Sequence, residues 1–162
     1  MTDEVDRIVE AWHRERPDLD VAPLSVLSRV SRLARHLDLA RRGAFSRYDL
    51  EVWEFDVLSA LRRAGEPYQL SPGTLVTQTL VTSGTMTNRI DRLAGRGLVE
   101  RLPAPGDRRG VLVRLTPDGR VRVDGALEDL LHVERELLAG LPEKDRNRLA
   151  DLLRIVVAPF DA

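Results

Sequence analysis

Residues 71–115 read SPGTLVTQTLVTSGTMTNRIDRLAGRGLVERLPAPGDRRGVLVRL, and this stretch decides the fold. Ser71-Pro72 is a helix start: a serine cap followed by proline at the first helical position, where its missing N–H costs nothing. The spacing predicts a short helix ending near Leu80, a turn through Val81-Thr82-Ser83-Gly84, and a second helix running to Gly95-Arg96-Gly97 with Met86, Ile90 and Leu93 as its buried stripe. Two short helices joined by a tight turn form a helix-turn-helix. Beyond Gly97 the apolar period shortens to that of strands, over Leu98–Leu102 and Val111–Leu115. Proline and glycine at both ends of the link 103–110 exclude helix and predict a hairpin with a long tip.

Working outward, Thr116-Pro117 repeats the cap-plus-proline signature and opens a long helix to about Ala139; Gly140-Leu141-Pro142 breaks it, and a last helix covers Glu143–Val157. Upstream, helices are predicted for Asp3–Arg16, Leu24–Arg42 and Leu50–Ala64, with Pro17–Pro23 as a linker, Gly43 as a stop and Tyr68–Leu70 as a short extended piece. The expected fold is mainly α: a winged helix-turn-helix with a two-stranded β wing. At 162 residues the expectation is one domain, 1–162, with the winged helix at 48–116.

The charge is unevenly placed. Between Arg89 and Arg122 stand nine arginines against four acidic residues, a net of +5 in a chain whose formal charge is −1. A basic segment in an otherwise acidic chain is the footprint of a localised nucleic-acid face. The second helix supplies the side chains that such a face needs. Ser83, Thr85 and Thr87 stand near its N-terminus, where hydroxyls and backbone N–H groups meet phosphate; Asn88, Arg89 and Arg92 have the geometry for bidentate contact with base edges. Arg108 and Arg109, between Gly106 and Gly110, put exposed cations at the hairpin tip, suited to a narrow minor groove.

The run Thr87-Asn88-Arg89-Ile90-Asp91-Arg92-Leu93 through Gly97-Leu98-Val99, then Asp107-Arg108-Arg109 and Leu115-Thr116-Pro117-Asp118-Gly119, resembles the signature of the MarR family of ligand-responsive transcriptional regulators. The resemblance implies a homodimer built from N- and C-terminal helices, here residues 1–47 and 117–162, that binds a pseudo-palindromic operator in double-stranded DNA and is released from it by a small-molecule effector. It also implies that Asp107 braces the wing and that Arg109 is the wing's DNA contact. Trp12 on an extra N-terminal helix, with Asp56 and Arg63 seven apart on one helix face, resembles the subgroup that binds urate and other small anions. That subgroup implies a ligand pocket completed by an arginine of the recognition helix, Arg89 or Arg92; the working set is Trp12, Asp56, Arg63 and Arg92. The plainer readings are that Trp12 docks its helix by packing and that Asp56 and Arg63 form ordinary surface ion pairs.

The absence of cysteine excludes disulfides and thiolate metal ligation. His13, His36 and His132 fall on three different helices with no acidic partners at metal spacing, so no metal or cofactor is expected. No nucleophile has a positioned base and no glycine loop is built for phosphate, which argues against an enzyme. The N-terminal residues lack the basic and apolar regions of a signal peptide and no apolar run is long enough to span a bilayer, so the expected location is the cytoplasm. Two other readings share the fold: a winged helix without effector response, and one that serves protein contacts.

Overall fold

The computed structural model describes residues 2–106 and 110–160. It divides into two compact units, Met1–Gly43 and Ala44–Ala162.

In the first unit, α1 (Glu4–Glu15) starts at a reciprocal cap: the Asp3 carboxylate accepts from the backbone of Val5 and Asp6, and the Asp6 carboxylate accepts from the Asp3 N–H. Arg29, on α2 (Ala22–Ser46), donates to both carboxylates, at 2.8 and 2.9 Å to Asp3 and 2.6 Å to Asp6. Bonding to Arg29 and to the Asp6 N–H holds the Asp3 carboxyl below its ordinary pKa, and the Asp3 backbone together with Arg29 does the same for Asp6. Pro23, read from the sequence as linker, instead lies in the first turn of α2, where proline is tolerated, and Asp20 accepts from the Ala22 N–H. Gly43 does not stop this helix. It continues to Ser46 because Ala44 and Phe45 are buried, with Phe45 stacked on Phe55 at a centroid distance of 4.0 Å. Tertiary burial there outweighs glycine's helix penalty of about 1 kcal/mol.

The second unit contains α3 (Val52–Arg63), β1 (Gln69–Leu70), α4 (Pro72–Thr79), α5 (Ser83–Gly95), β2 (Val99–Pro103), β3 (Val111–Leu115), α6 (Pro117–Leu138) and α7 (Glu143–Val157), followed by one 3-10 turn. The expected hairpin forms, and the extended piece at Tyr68–Leu70 joins it as a third strand. The sheet is antiparallel in the order β1-β3-β2, with Gln69 opposite Arg114 and Glu100 opposite Arg114 on the other side.

The core is one cluster. Val57, Leu58 and Leu61 of α3, Leu75 of α4, Met86, Ile90 and Leu93 of α5 and Val113 of β3 are all at most 1% exposed. Each such side chain contributes roughly 1.5–3 kcal/mol by leaving water, which fixes α5 by its inner stripe and turns its other face outward. Gly119 lets α6 press onto the sheet, since a Cβ there would sit 2.2 Å from the Leu98 carbonyl oxygen.

Candidate nucleic-acid interface

The helix pair is built from local signals. Ser71 Oγ accepts from the Thr74 N–H at 3.1 Å and caps α4; Leu80 closes that helix in the left-handed region at φ 53°. The cap of α5 is Thr82, which accepts from the Thr85 N–H at 3.3 Å, so Ser83 and Gly84 form the first helical turn rather than the connection expected from sequence. Met86, Ile90 and Leu93 form the buried stripe as expected.

That burial leaves Ser83, Thr85, Thr87, Asn88 and Arg92 exposed and Arg89 half-buried on the outside of one helix. Two of the hydroxyls have local partners: Thr85 pairs with Thr82 at 2.9 Å, and Thr87 donates to the Ser83 carbonyl at 3.0 Å. Their oxygens keep acceptor capacity, while Ser83 stands at the helix N-terminus beside the positive end of its dipole. Gly84, Thr85, Asn88, Arg89 and Arg92 line one cavity of about 470 Å3, and its remaining wall is Trp53 of α3. The face carries two guanidiniums, one amide and a helix N-terminus, a donor set matched to phosphate and purine edges.

Charged contacts hold the C-terminal half of α5 in place. At its C-terminal end Arg96 donates to both oxygens of Glu54 at 2.6 Å, and to the Asp49 carbonyl and carboxylate at 2.6 Å each. Bonding to Glu54 raises the Arg96 pKa further above its ordinary value. Arg101 of β2 donates to Asp91 of α5 at 2.6 Å, tying the wing's first strand to the recognition helix, and Arg114 pairs with Glu100 across the two wing strands at 2.7 Å. The hairpin narrows at Ala104, whose N–H donates to the Gly110 carbonyl at 2.9 Å. The wing assignments Asp107, Arg108 and Arg109 lie outside the described residues.

The residues assigned to an effector do not all meet. Asp56 and Arg63 share a smaller cavity of about 160 Å3 with Ser59, Gln78, Thr79 and Leu80, and Arg63 donates to Ser59 Oγ at 3.1 Å. Arg92 instead lines the cavity walled by Trp53. Trp12 belongs to the first unit and is 48% exposed. Local pattern gives Trp53 only a place in the helix expected at Leu50–Ala64 and Arg96 only a share in the basic segment and the end of the second helix, and it does not mark Glu54; each acts across 36 or more residues of chain, beyond any local pattern.

Among the described residues no group of three or more His, Asp or Glu is placed to hold a metal ion, and no helix is long and apolar enough to cross a membrane.

Residues 48–110 match the model of the MarR family. The chain is 40% identical over 150 residues to the HTH-type transcriptional regulator PecS of Dickeya dadantii, covering 93% of this chain and 90% of that protein. It is 29% identical over 143 residues to the HTH-type transcriptional repressor NicR of Pseudomonas putida, covering 86% and 89%. A mutant MarR of Escherichia coli, crystallised in complex with operator DNA, superposes with a TM-score of 0.71 at 28% identity, over 96% of this chain and 99% of that one. The relatives are regulators and not enzymes, and the chain belongs to the MarR family of DNA-binding transcriptional regulators.

Proposed function

We propose that the chain is a homodimeric repressor that sets one α5 helix in each of two adjacent major grooves of a pseudo-palindromic operator and is released by a small anion. The observation that carries the DNA reading is the outer face of α5: Ser83, Thr85, Thr87, Asn88, Arg89 and Arg92 on a helix whose opposite stripe is at most 1% exposed. The likeness to a MarR solved with operator DNA supports it. By the same reading the wing would follow the neighbouring backbone or minor groove, with Arg108 and Arg109 as its contacts and Asp107 as its brace.

The homodimer reading rests on α7. None of its residues is buried, and Leu149, Leu152, Leu153 and Val156 are 37–52% exposed. A helix of this length is marginal in water without an apolar partner surface. A second copy of the chain, packed through its terminal helices, supplies that surface and spaces the two α5 helices about 34–36 Å apart, one turn of DNA. NicR, named a repressor, favours repression over activation.

The effector reading rests on Asp56 and Arg63, which line one cavity. Arg92 is assigned to the DNA face. Because coupling is reciprocal, DNA weakens effector binding by the factor by which effector weakens DNA binding.

The test is affinity for the DNA upstream of the chain's own reading frame against a random duplex, across a salt series, with urate and small carboxylates added in turn. Preference for the upstream DNA, a steep salt slope and release by one anion support the reading. Equal weak binding to both duplexes with a flat salt dependence would instead favour a winged helix used for protein contacts.

A further inference from the structure

Arg89 and Arg92 stand three positions apart on α5, and both guanidiniums lie over the same ring, that of Trp53: Arg92 at 4.7 Å from the ring centroid and Arg89 at 5.5 Å. The ring is itself held. Its Nε1–H donates to Glu51 Oε2 at 2.6 Å, while Glu51 Oε1 accepts from Arg92 Nη2 at 3.1 Å. Trp53 is half-buried and packed against the core, so the platform moves with α3 and not with solvent.

We propose that Trp53, oriented by Glu51, is a positioning residue for sequence readout by α5: it sets the two arginine side chains in the direction from which they address base edges. The inference deepens the DNA reading of α5 and rests on it. Two like charges gathered at one aromatic ring are attracted by its quadrupole, and a cation–π contact consumes none of the guanidinium's five N–H donors. An arginine restrained by carboxylates alone would spend those donors on the restraint. Held by the ring, Arg92 spends one N–H on Glu51 and keeps the others, and the contact costs Arg89 none; those donors remain for a bidentate pair on guanine, where both the direction and the plane of the fork decide recognition. The device therefore acts on discrimination between sequences, and the charge that attracts phosphate is untouched.

The experiment compares W53F and W53L. Both keep an apolar side chain against the core, but only phenylalanine retains an aromatic face. The probes are a duplex selected by the wild-type protein from a randomised pool and a duplex of random sequence. W53L is expected to lose about tenfold of the preference for the selected duplex, within the range of a partly exposed cation–π contact, with the salt slope unchanged because no positive charge is removed. W53F is expected to stay within about threefold of wild type. Equal behaviour of the two variants, or loss of selected and random binding by the same factor, overturns the proposal, since packing alone would produce either result. If the wild type selects no sequence at all, the DNA reading itself falls and takes this inference with it; that outcome is distinct from a wild type that discriminates while W53L does so equally well.

Discussion

Arg96 reaches back to Glu54 across 42 residues and donates from one nitrogen to both carboxylate oxygens, at 2.6 Å each. The carboxylate is 1% exposed and also accepts from the Glu51 N–H at 2.9 Å, so one buried anion caps the start of α3 and anchors the end of α5. Asp49 extends the anchor, receiving Arg96 on one side and Arg122 of α6 at 3.2 Å on the other. Removing one member of such a pair strands the other. Arg96→Met is expected to cost about 3 kcal/mol, the lower part of the range for breaking a buried ion pair because Arg96 keeps some solvent contact. Glu54→Gln, which can still accept hydrogen bonds, is expected to cost about 1–2 kcal/mol. Urea midpoints of the two variants check the order, and a larger loss in Glu54→Gln would contradict it.

The outer face of α5 separates into two kinds of contact by how its variants respond. If Arg89 or Arg92 reads a guanine, its change to alanine costs about 1–3 kcal/mol on the selected duplex and relaxes preference at one base pair. If it meets phosphate, binding weakens on every sequence and the slope of log K against log salt falls by about 0.9 in magnitude. Competition binding at three salt concentrations with single-base variants of the duplex sorts each arginine into one class. A variant unchanged in both readouts would remove that arginine from the interface.

What was legible in the sequence was what local physics decides. The caps at Ser71-Pro72 and Thr116-Pro117 and the stripe Met86, Ile90 and Leu93 announce themselves within a turn or two of chain, and the structure has them as read. The errors occur where a distant partner overrides a local signal or where two local signals compete. Gly43 looks like a stop until Phe45 finds Phe55, and Ser83-Gly84 looks like a turn until Thr82 caps the helix ahead of them. Trp53 sits in an apolar pattern that accounts for its helix face but says nothing of Arg89 and Arg92, more than thirty residues away. Glu54 goes unmarked because no periodicity shows that its partner is Arg96.

The junction of α1 with α2 should titrate. Asp3 and Asp6 both have carboxyl pKa values below the ordinary 3.8, Asp3 chiefly through Arg29 and Asp6 chiefly through the Asp3 backbone. A depressed folded-state pKa contributes stability that is fully present above the unfolded value and lost as pH falls through the folded one. The α1 cap and its Arg29 contact are therefore expected to be intact from neutrality down to about pH 4 and to fail only below it. Emission of Trp12, read in a Trp53→Phe background, follows the change. Arg29→Gln should move the transition toward higher pH, and a transition unmoved by that substitution would show that Arg29 does not hold the two carboxyls.

The exposed apolar side of α7 makes the sharpest demand on assembly. Leu153 is 39% exposed in the single chain, on a helix with no buried residue at all. If a second copy covers it, a two-fold interface buries that exposed share twice, so Leu153→Glu forfeits roughly 0.6–1.2 kcal/mol of apolar burial per side and, in addition, sets a carboxylate against apolar surface, which is the larger cost. The expected result is a dimer dissociation constant raised by a factor on the order of 10^2 to 10^4, read by sedimentation velocity. The winged helix keeps its own core, at Leu58, Leu61, Leu75 and Ile90, so the thermal unfolding of the separated chains should still be cooperative. Affinity for a two-half-site duplex should fall with dissociation, while affinity for a single half-site should not. A variant that remains dimeric with unchanged operator affinity would place the self-association surface elsewhere and leave α7 without an assigned partner.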